Sequence, residues 1–186
     1  MEYFLGTHHT HWLQKTSTPL FISFRQLKKR KKLIRSKGKW ALDSGAFSEI
    51  QDHGKWKNSS EEYAYKVQSF HEQIGNLKWA SIQDWICSPM ALKKTGLSIR
   101  QHQKRTINSY CTLTKLAKNI SWIPILQDWD IKSYLNHIKM YEAEGISLEK
   151  EKIVGVGSIA VRQRSVILPQ LLYVLYQKAY LYMHLV

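Results

Sequence analysis

The stretch Trp40-Ala-Leu-Asp43-Ser-Gly-Ala-Phe47 constrains this chain more than any other. A short apolar run ends on an aspartate, and the backbone then turns through small residues. Apolar runs of this length read as buried strands, and Gly45, with no Cβ, lets a ligand approach the main chain closely. α/β enzymes place their chemistry at the carboxyl ends of buried parallel strands, which is where Asp43 falls. Trp79-Ala-Ser-Ile-Gln-Asp84-Trp repeats the pattern further along. Two aspartates at two strand ends make an active-site mouth the leading expectation.

The rest of the pattern alternates short apolar runs with longer amphipathic segments. Residues 2–5 and 20–23 read as strands, residues 25–37 as a basic helix, and residues 39–42 as the next strand. Asn58-Ser-Ser-Glu61-Glu62 supplies capping residues and first-turn acids for a helix that Gly75 stops. Residues 77–82 are strand-like, and Thr95-Gly-Leu-Ser98 leads into a long helix with Ile107, Tyr110, Leu113 and Ala117 near one face. Residues 122–126 form a buried strand, Asp130 caps a helix that Gly145 ends, and residues 152–156 form another strand. Beyond Ile167 the pattern predicts one more helix and the start of a strand. Strands alternating with helices imply right-handed βαβ units and a parallel sheet. Asp43, Asp84, Gln127 and the Gly155-Val-Gly157-Ser158 turn all sit at strand ends, which suits a TIM-type (β/α) barrel better than an open sheet. A complete barrel takes about 250 residues, and this chain has 186. Residues 1–186 are therefore expected to form a single α/β, barrel-like domain of six or seven strands, lacking the last strand or two.

Charge is the second strong signal. Twenty-eight Lys and Arg against fourteen Asp and Glu give a formal charge of +14, the electrostatic footprint of a nucleic-acid partner. Arg25, Lys28, Lys29, Arg30, Lys31, Lys32 and Arg35 crowd one segment that contains no acid. The competing reading is a solvated helix face. Seven Trp and ten Tyr in a chain that is 44% hydrophobic exclude a disordered tail. No apolar run has membrane-spanning length and no signal peptide opens the chain, so cytoplasmic residence and no membrane partner are expected. Cys87 and Cys111 have no metal-ligand spacing, and no acid stands at ligand spacing from His8, His9 and His11. No metal and no cofactor are expected.

Asp43-Ser-Gly-Ala-Phe47 resembles the Asp-Ser-Gly-Gly-Phe signature of the tRNA-guanine transglycosylase superfamily. The DpdA branch, which inserts 7-deazapurines into DNA, is the more similar. Leu5-Gly-Thr-His8-His9-Thr-His11-Trp12-Leu13, Gln83-Asp84-Trp85-Ile-Cys87-Ser-Pro89, Pro124-Ile-Leu-Gln127-Asp-Trp129 and Val154-Gly155-Val-Gly157-Ser-Ile159 follow in the order such a protein would have them. The resemblance implies base exchange, in which an aspartate attacks C1′ of guanosine, guanine leaves, and a deazapurine captures the glycosyl-enzyme. It assigns acid/base or recognition work to Asp43 beside Ser44 and Gly45, stacking on the purine to Phe47, and the Watson–Crick edge to Asp84. Gln127 and the main chain at Gly155 and Gly157 complete the base site. DNA and a 7-deazapurine base are the implied partners.

The departures also bear on function. Ala46 replaces the second glycine of the signature, and the zinc cluster of the tRNA enzymes has no match. The nucleophilic aspartate of such enzymes lies beyond the Gly-rich turn, yet no Asp or Glu follows Glu151. Three readings stand: a base-exchange enzyme impaired by truncation or completed by a second polypeptide, a non-catalytic DNA-binding remnant or subunit, and an unrelated barrel hydrolase using Asp43 and Asp84 as a carboxylate pair.

Overall fold

Within each of two sheets, strands consecutive in the chain pair in parallel, so the winding runs in one direction in each. The computed structural model describes residues 2–158, 169–170, 173–174 and 183–185. Strands β1 (Leu5–Thr7), β2 (Leu20–Ser23), β3 (Trp40–Asp43), β4 (Leu77–Ser81) and β5 (Trp122–Ile123) form one sheet in that order. Strands β6 (Ile125–Leu126), β7 (Val154–Val156) and β8 (Met183–Leu185) form a second. The register is direct: Leu20 lies beside Trp40, Ser23 beside Asp43, and Leu126 beside Val156.

Residues 122–126, expected as one strand, change partners in the middle. Trp122 and Ile123 pair with β4, whereas Ile125 and Leu126 pair with β7. Pro124 lies between them and has no N–H to donate to a ladder, so the pairing breaks there. Its carbonyl still accepts from Gly155 N–H at 2.9 Å.

Helices carry the chain back between strands. They are α1 (Phe24–Leu27), α2 (Ala46–His53), α3 (Ser60–Ile74), α4 (Pro89–Thr95), α5 (Ile99–Leu116) and α6 (Ile131–Ala143). The start of α3 is a capping box: Ser59 Oγ accepts from Glu62 N–H, and the Glu62 carboxylate accepts from Ser59 N–H. Ser98 and Gln101 cap α5 in the same way, and the Asp130 carboxylate accepts from Ser133 N–H at the start of α6. Trp40, Ala41 and Leu42 are fully buried because both faces of β3 are covered. One apolar cluster joins them to Ile22, Tyr63, Val67, Ile107, Ile125, Tyr141 and Val156, so both sheets share a core.

Three local expectations give way. The basic helix over residues 25–37 shrinks to the single turn of α1, and residues 28–39 hold no helix or strand. Like charges at helical spacing (Arg25 and Lys29, Lys28 and Lys32, Lys31 and Arg35) oppose continuation. Tertiary bonds also direct the end of the segment elsewhere: Ser36 N–H donates to Ile74 O at 2.8 Å and Lys37 N–H to Leu13 O at 2.7 Å. The first strand begins at Leu5, not Glu2. Helix α2 starts in the stretch expected as a turn, and α4 forms where no element was expected. The tail helix expected beyond Ile167 falls largely outside the described residues, while β8 matches the expected strand start.

Candidate active site

The carboxyl ends of β2, β3, β4 and β6 open onto one cleft of about 600 Å³. Asp43 closes β3, and Ser44 and Gly45 lead straight into α2. Gly45 has φ 79°, the left-handed region that a side chain resists, and a Cβ there would also press on Arg25 and Ser23. This sharp reversal puts Phe47 on the first turn of α2, where its ring is 43% exposed at the cleft mouth.

A hydrogen-bonded chain crosses the floor. Ser44 Oγ donates to Asp84 Oδ1 at 2.8 Å, and Gln127 Nε2 donates to Asp84 Oδ2. Ser158 Oγ donates to Gln127 Oε1 at 2.6 Å and accepts from Cys87 N–H at 3.1 Å. Asp84, Gln127 and Ser158 are all buried while still lining the cleft. A second layer anchors Gln127 by its backbone: its N–H donates to His137 Nδ1 at 3.0 Å, and its carbonyl accepts from Gln103 Nε2 at 3.2 Å. Burial pushes the His137 imidazole down to about 3, so it stays neutral and its Nδ1 remains an acceptor.

The electrostatics of the two aspartates differ. Burial raises Asp84 to about 6; the Ser44 hydroxyl and Gln127 amide oppose the rise, and the charge of Asp43 adds to it. Burial also raises Asp43, against the stabilising bonds from Ser23 and Gly45 N–H. Both carboxyls thus hold a proton more readily than an exposed aspartate, which general acid–base chemistry near neutral pH requires. The Cys87 thiol is buried and pushed well up, so it stays protonated. Among the described residues no three His, Cys, Asp or Glu side chains come together to hold a metal ion.

Of the residues singled out from sequence, Asp43, Ser44, Gly45, Phe47, Asp84 and Gln127 line this cleft together. The two glycines of the later turn do not. Gly155 is a ladder residue inside β7. Gly157 lies beneath Gln127: a Cβ there would fall 2.0 Å from Nε2, so only glycine leaves room for the amide. Ser158, quoted in that turn without a role, lines the cleft instead, as do Ser23, Ser88 and His8.

The basic segment divides in two. Arg25 is paired with Asp52 at 3.0 Å and Lys28 with Glu49 at 2.8 Å, which ties α1 to α2. Lys29, Arg30, Lys31 and Lys32 are exposed, with no ion pair among the described residues, and Lys29 reaches the cleft wall. Arg35 is exposed too, its guanidinium against Gly75. Among the described residues no helix is long and apolar enough to cross a membrane.

A protein-family model described as DpdA, DeoxyPurine in DNA protein A, matches residues 1–177. No curated protein and no solved structure matches.

The raised Asp84 carboxyl makes stability depend on pH in a definite direction. The folded state binds this proton more tightly than the unfolded chain does. The resulting stabilisation is therefore full below the ordinary value of 3.8 and lost as pH rises through about 6. Between about pH 4 and pH 7, wild type should lose roughly 2–3 kcal/mol relative to Asp84→Asn. Denaturant unfolding of both proteins across that range measures it; a difference that does not change with pH contradicts it.

Proposed function

The chain belongs to the DpdA family, and from that premise we propose that it works in deazapurine modification of DNA by exchanging guanine for a 7-deazapurine. The observation that carries this reading is the floor of the cleft. An amide N–H donor at Gln127 is fixed beside a carboxylate acceptor at Asp84. Guanine and 7-deazaguanine present the complementary edge, an O6 acceptor beside N1–H and N2–H donors. Phe47 at the mouth offers a face for the purine ring to stack on.

The strands are read as an arc of a TIM-type barrel, supported by their sequential parallel order and by functional residues at successive carboxyl ends. A base inside duplex DNA cannot reach such a floor, so the target nucleotide is flipped out of its stack. The exposed cations at residues 29–32 hold the flanking phosphates. Asp43 gives a proton to guanine as the C1′–N9 bond breaks and a carboxylate oxygen bonds to C1′. In the return step N9 of the deazapurine attacks C1′, the carboxylate leaves, and the N9 proton returns to Asp43. Each displacement is easier than a direct one.

Among the described residues, Asp43 and Asp84 are the carboxylates that line the cleft, and this reading gives both to the base. The C1′ nucleophile in this reading comes from elsewhere, in its simplest form from a second polypeptide that completes the barrel. The same observation favours a second reading, a member that binds DNA and purine without turnover.

Release of labelled guanine from a DNA duplex on adding 7-deazaguanine, absent with this chain alone, restored when a second polypeptide supplies the nucleophile, and abolished in Asp43→Ala, is the result expected of base exchange. Binding of duplex and free base without release would select the second reading, and binding of neither would overturn both. Replacing Lys29, Arg30, Lys31 and Lys32 by Ala should reduce the slope of log affinity against log salt by about 3–4, since each phosphate contact contributes about 0.9. The Arg25→Ala and Lys28→Ala changes should matter less, because those cations already face Asp52 and Glu49. Titrations of duplex DNA at several salt concentrations decide it; an unchanged slope would make residues 29–32 a solvated surface.

A further inference from the structure

Gln127 can be seated in its place two ways. Its amide lies against the backbone of Gly157, where even a Cβ would collide, and is bonded at both ends, so swinging aside is blocked. What remains is a half-turn that exchanges Oε1 and Nε2. The two orientations show a ligand opposite faces: a donor in one, an acceptor in the other. Ionised Asp84 can accept only from Nε2, whereas burial raises its carboxyl so that a protonated Asp84 can donate to Oε1 instead; a second group is needed to hold one orientation throughout.

We propose that Ser158 is the positioning residue that fixes this choice and thereby makes the cleft select 6-oxo over 6-amino purines, an inference that rests on the purine-reading role of Gln127 and Asp84. The selection starts at a group that cannot be reversed. Cys87 N–H is a backbone donor, and it points at Ser158 Oγ at 3.1 Å. With that bond accepted, the hydroxyl proton is directed to Gln127 Oε1 at 2.6 Å. Oε1 thus turns to Ser158 and Nε2 to Asp84. The second N–H of Nε2 is then the group available for a purine O6. A 6-amino group in that position would meet donor with donor.

The backbone at Ser158 supports a specific purpose for this hydroxyl. Ser158 has φ 62°, in the left-handed region, and Asn76 is the one other non-glycine residue with positive φ among those described. Serine pays a conformational penalty there that glycine would not. Ser158 is also buried, and its hydroxyl bridges two elements far apart in the chain. A residue needed only for the turn would be better as glycine.

Ser158→Gly is therefore a clean variant: it removes the hydroxyl while relieving the backbone. The probes are guanine and 2,6-diaminopurine as free bases, which share the 2-amino group and differ at position 6. Competition binding measures the preference, and thermal unfolding checks the fold. Wild type should prefer guanine strongly, and Ser158→Gly should lower that preference about tenfold or more while still unfolding in one cooperative transition, the relieved backbone offsetting part of the two lost hydrogen bonds. Ser158→Ala, which keeps the backbone penalty, should show the same loss of preference. If both variants keep the full preference, the inference fails while the purine-reading role stands. If wild type binds neither base, that role fails and the inference with it.

Discussion

The cleft depends on one buried carboxylate and the donors gathered on it. Asp84 ends the segment after β4, and its oxygens take Ser44 from the end of β3 and Gln127 from the end of β6. Three strand ends, far apart in sequence, are thus held in one fixed arrangement. Burying a charge is costly unless it is well hydrogen-bonded, and the raised Asp84 carboxyl shows that some of this cost remains. Trp56 Nε1 also donates to the Asp84 backbone carbonyl at 3.1 Å, which fixes the main chain at that point. Side chains held this way at both ends have little freedom to rearrange.

Around this floor the charges separate by task. Glu49 is 3% exposed, and Lys28 on α1 reaches it, while Arg25 meets Asp52 further along α2. These pairs join the short α1 turn to the helix that carries Phe47. The Arg25 pair is half-exposed and contributes little to stability on its own, so its effect is mainly to set where the mouth lies. The next four cations, Lys29 to Lys32, are exposed and make no ion pair among the described residues. A uniformly basic helix would have spread its charge around the surface; here the four lie together in a turn and a bend.

Sequence patterning made the parallel alternation legible, along with the strand ends carrying Asp43, Asp84 and Gln127. The caps at Ser59, Ser98 and Asp130 were legible as well, because each is a local hydrogen bond. Helix α4 was missed although its start carries a signal: Ser88 precedes Pro89, an N-cap followed by proline at the first helical position. Helix α2 was harder, since Ser44-Gly45 reads equally well as a turn. The helix expected over residues 25–37 failed because periodicity counts apolar positions and does not count repulsion between cations. Ser158 could not have been assigned from sequence. Its role depends on a left-handed φ and on a bond to Cys87, from which 71 positions separate it. Gly157 was noticed for contact with a base; in the structure it makes room for the Gln127 side chain.

The most direct measurement is a crystal structure of this chain with 7-deazaguanine bound. The base should lie on the cleft floor with O6 against Gln127 Nε2, N1–H and the 2-amino group on the Asp84 carboxylate, and Phe47 over the ring. A base bound elsewhere, or seated with its Watson–Crick edge turned away from Asp84 and Gln127, would contradict the purine-reading cleft.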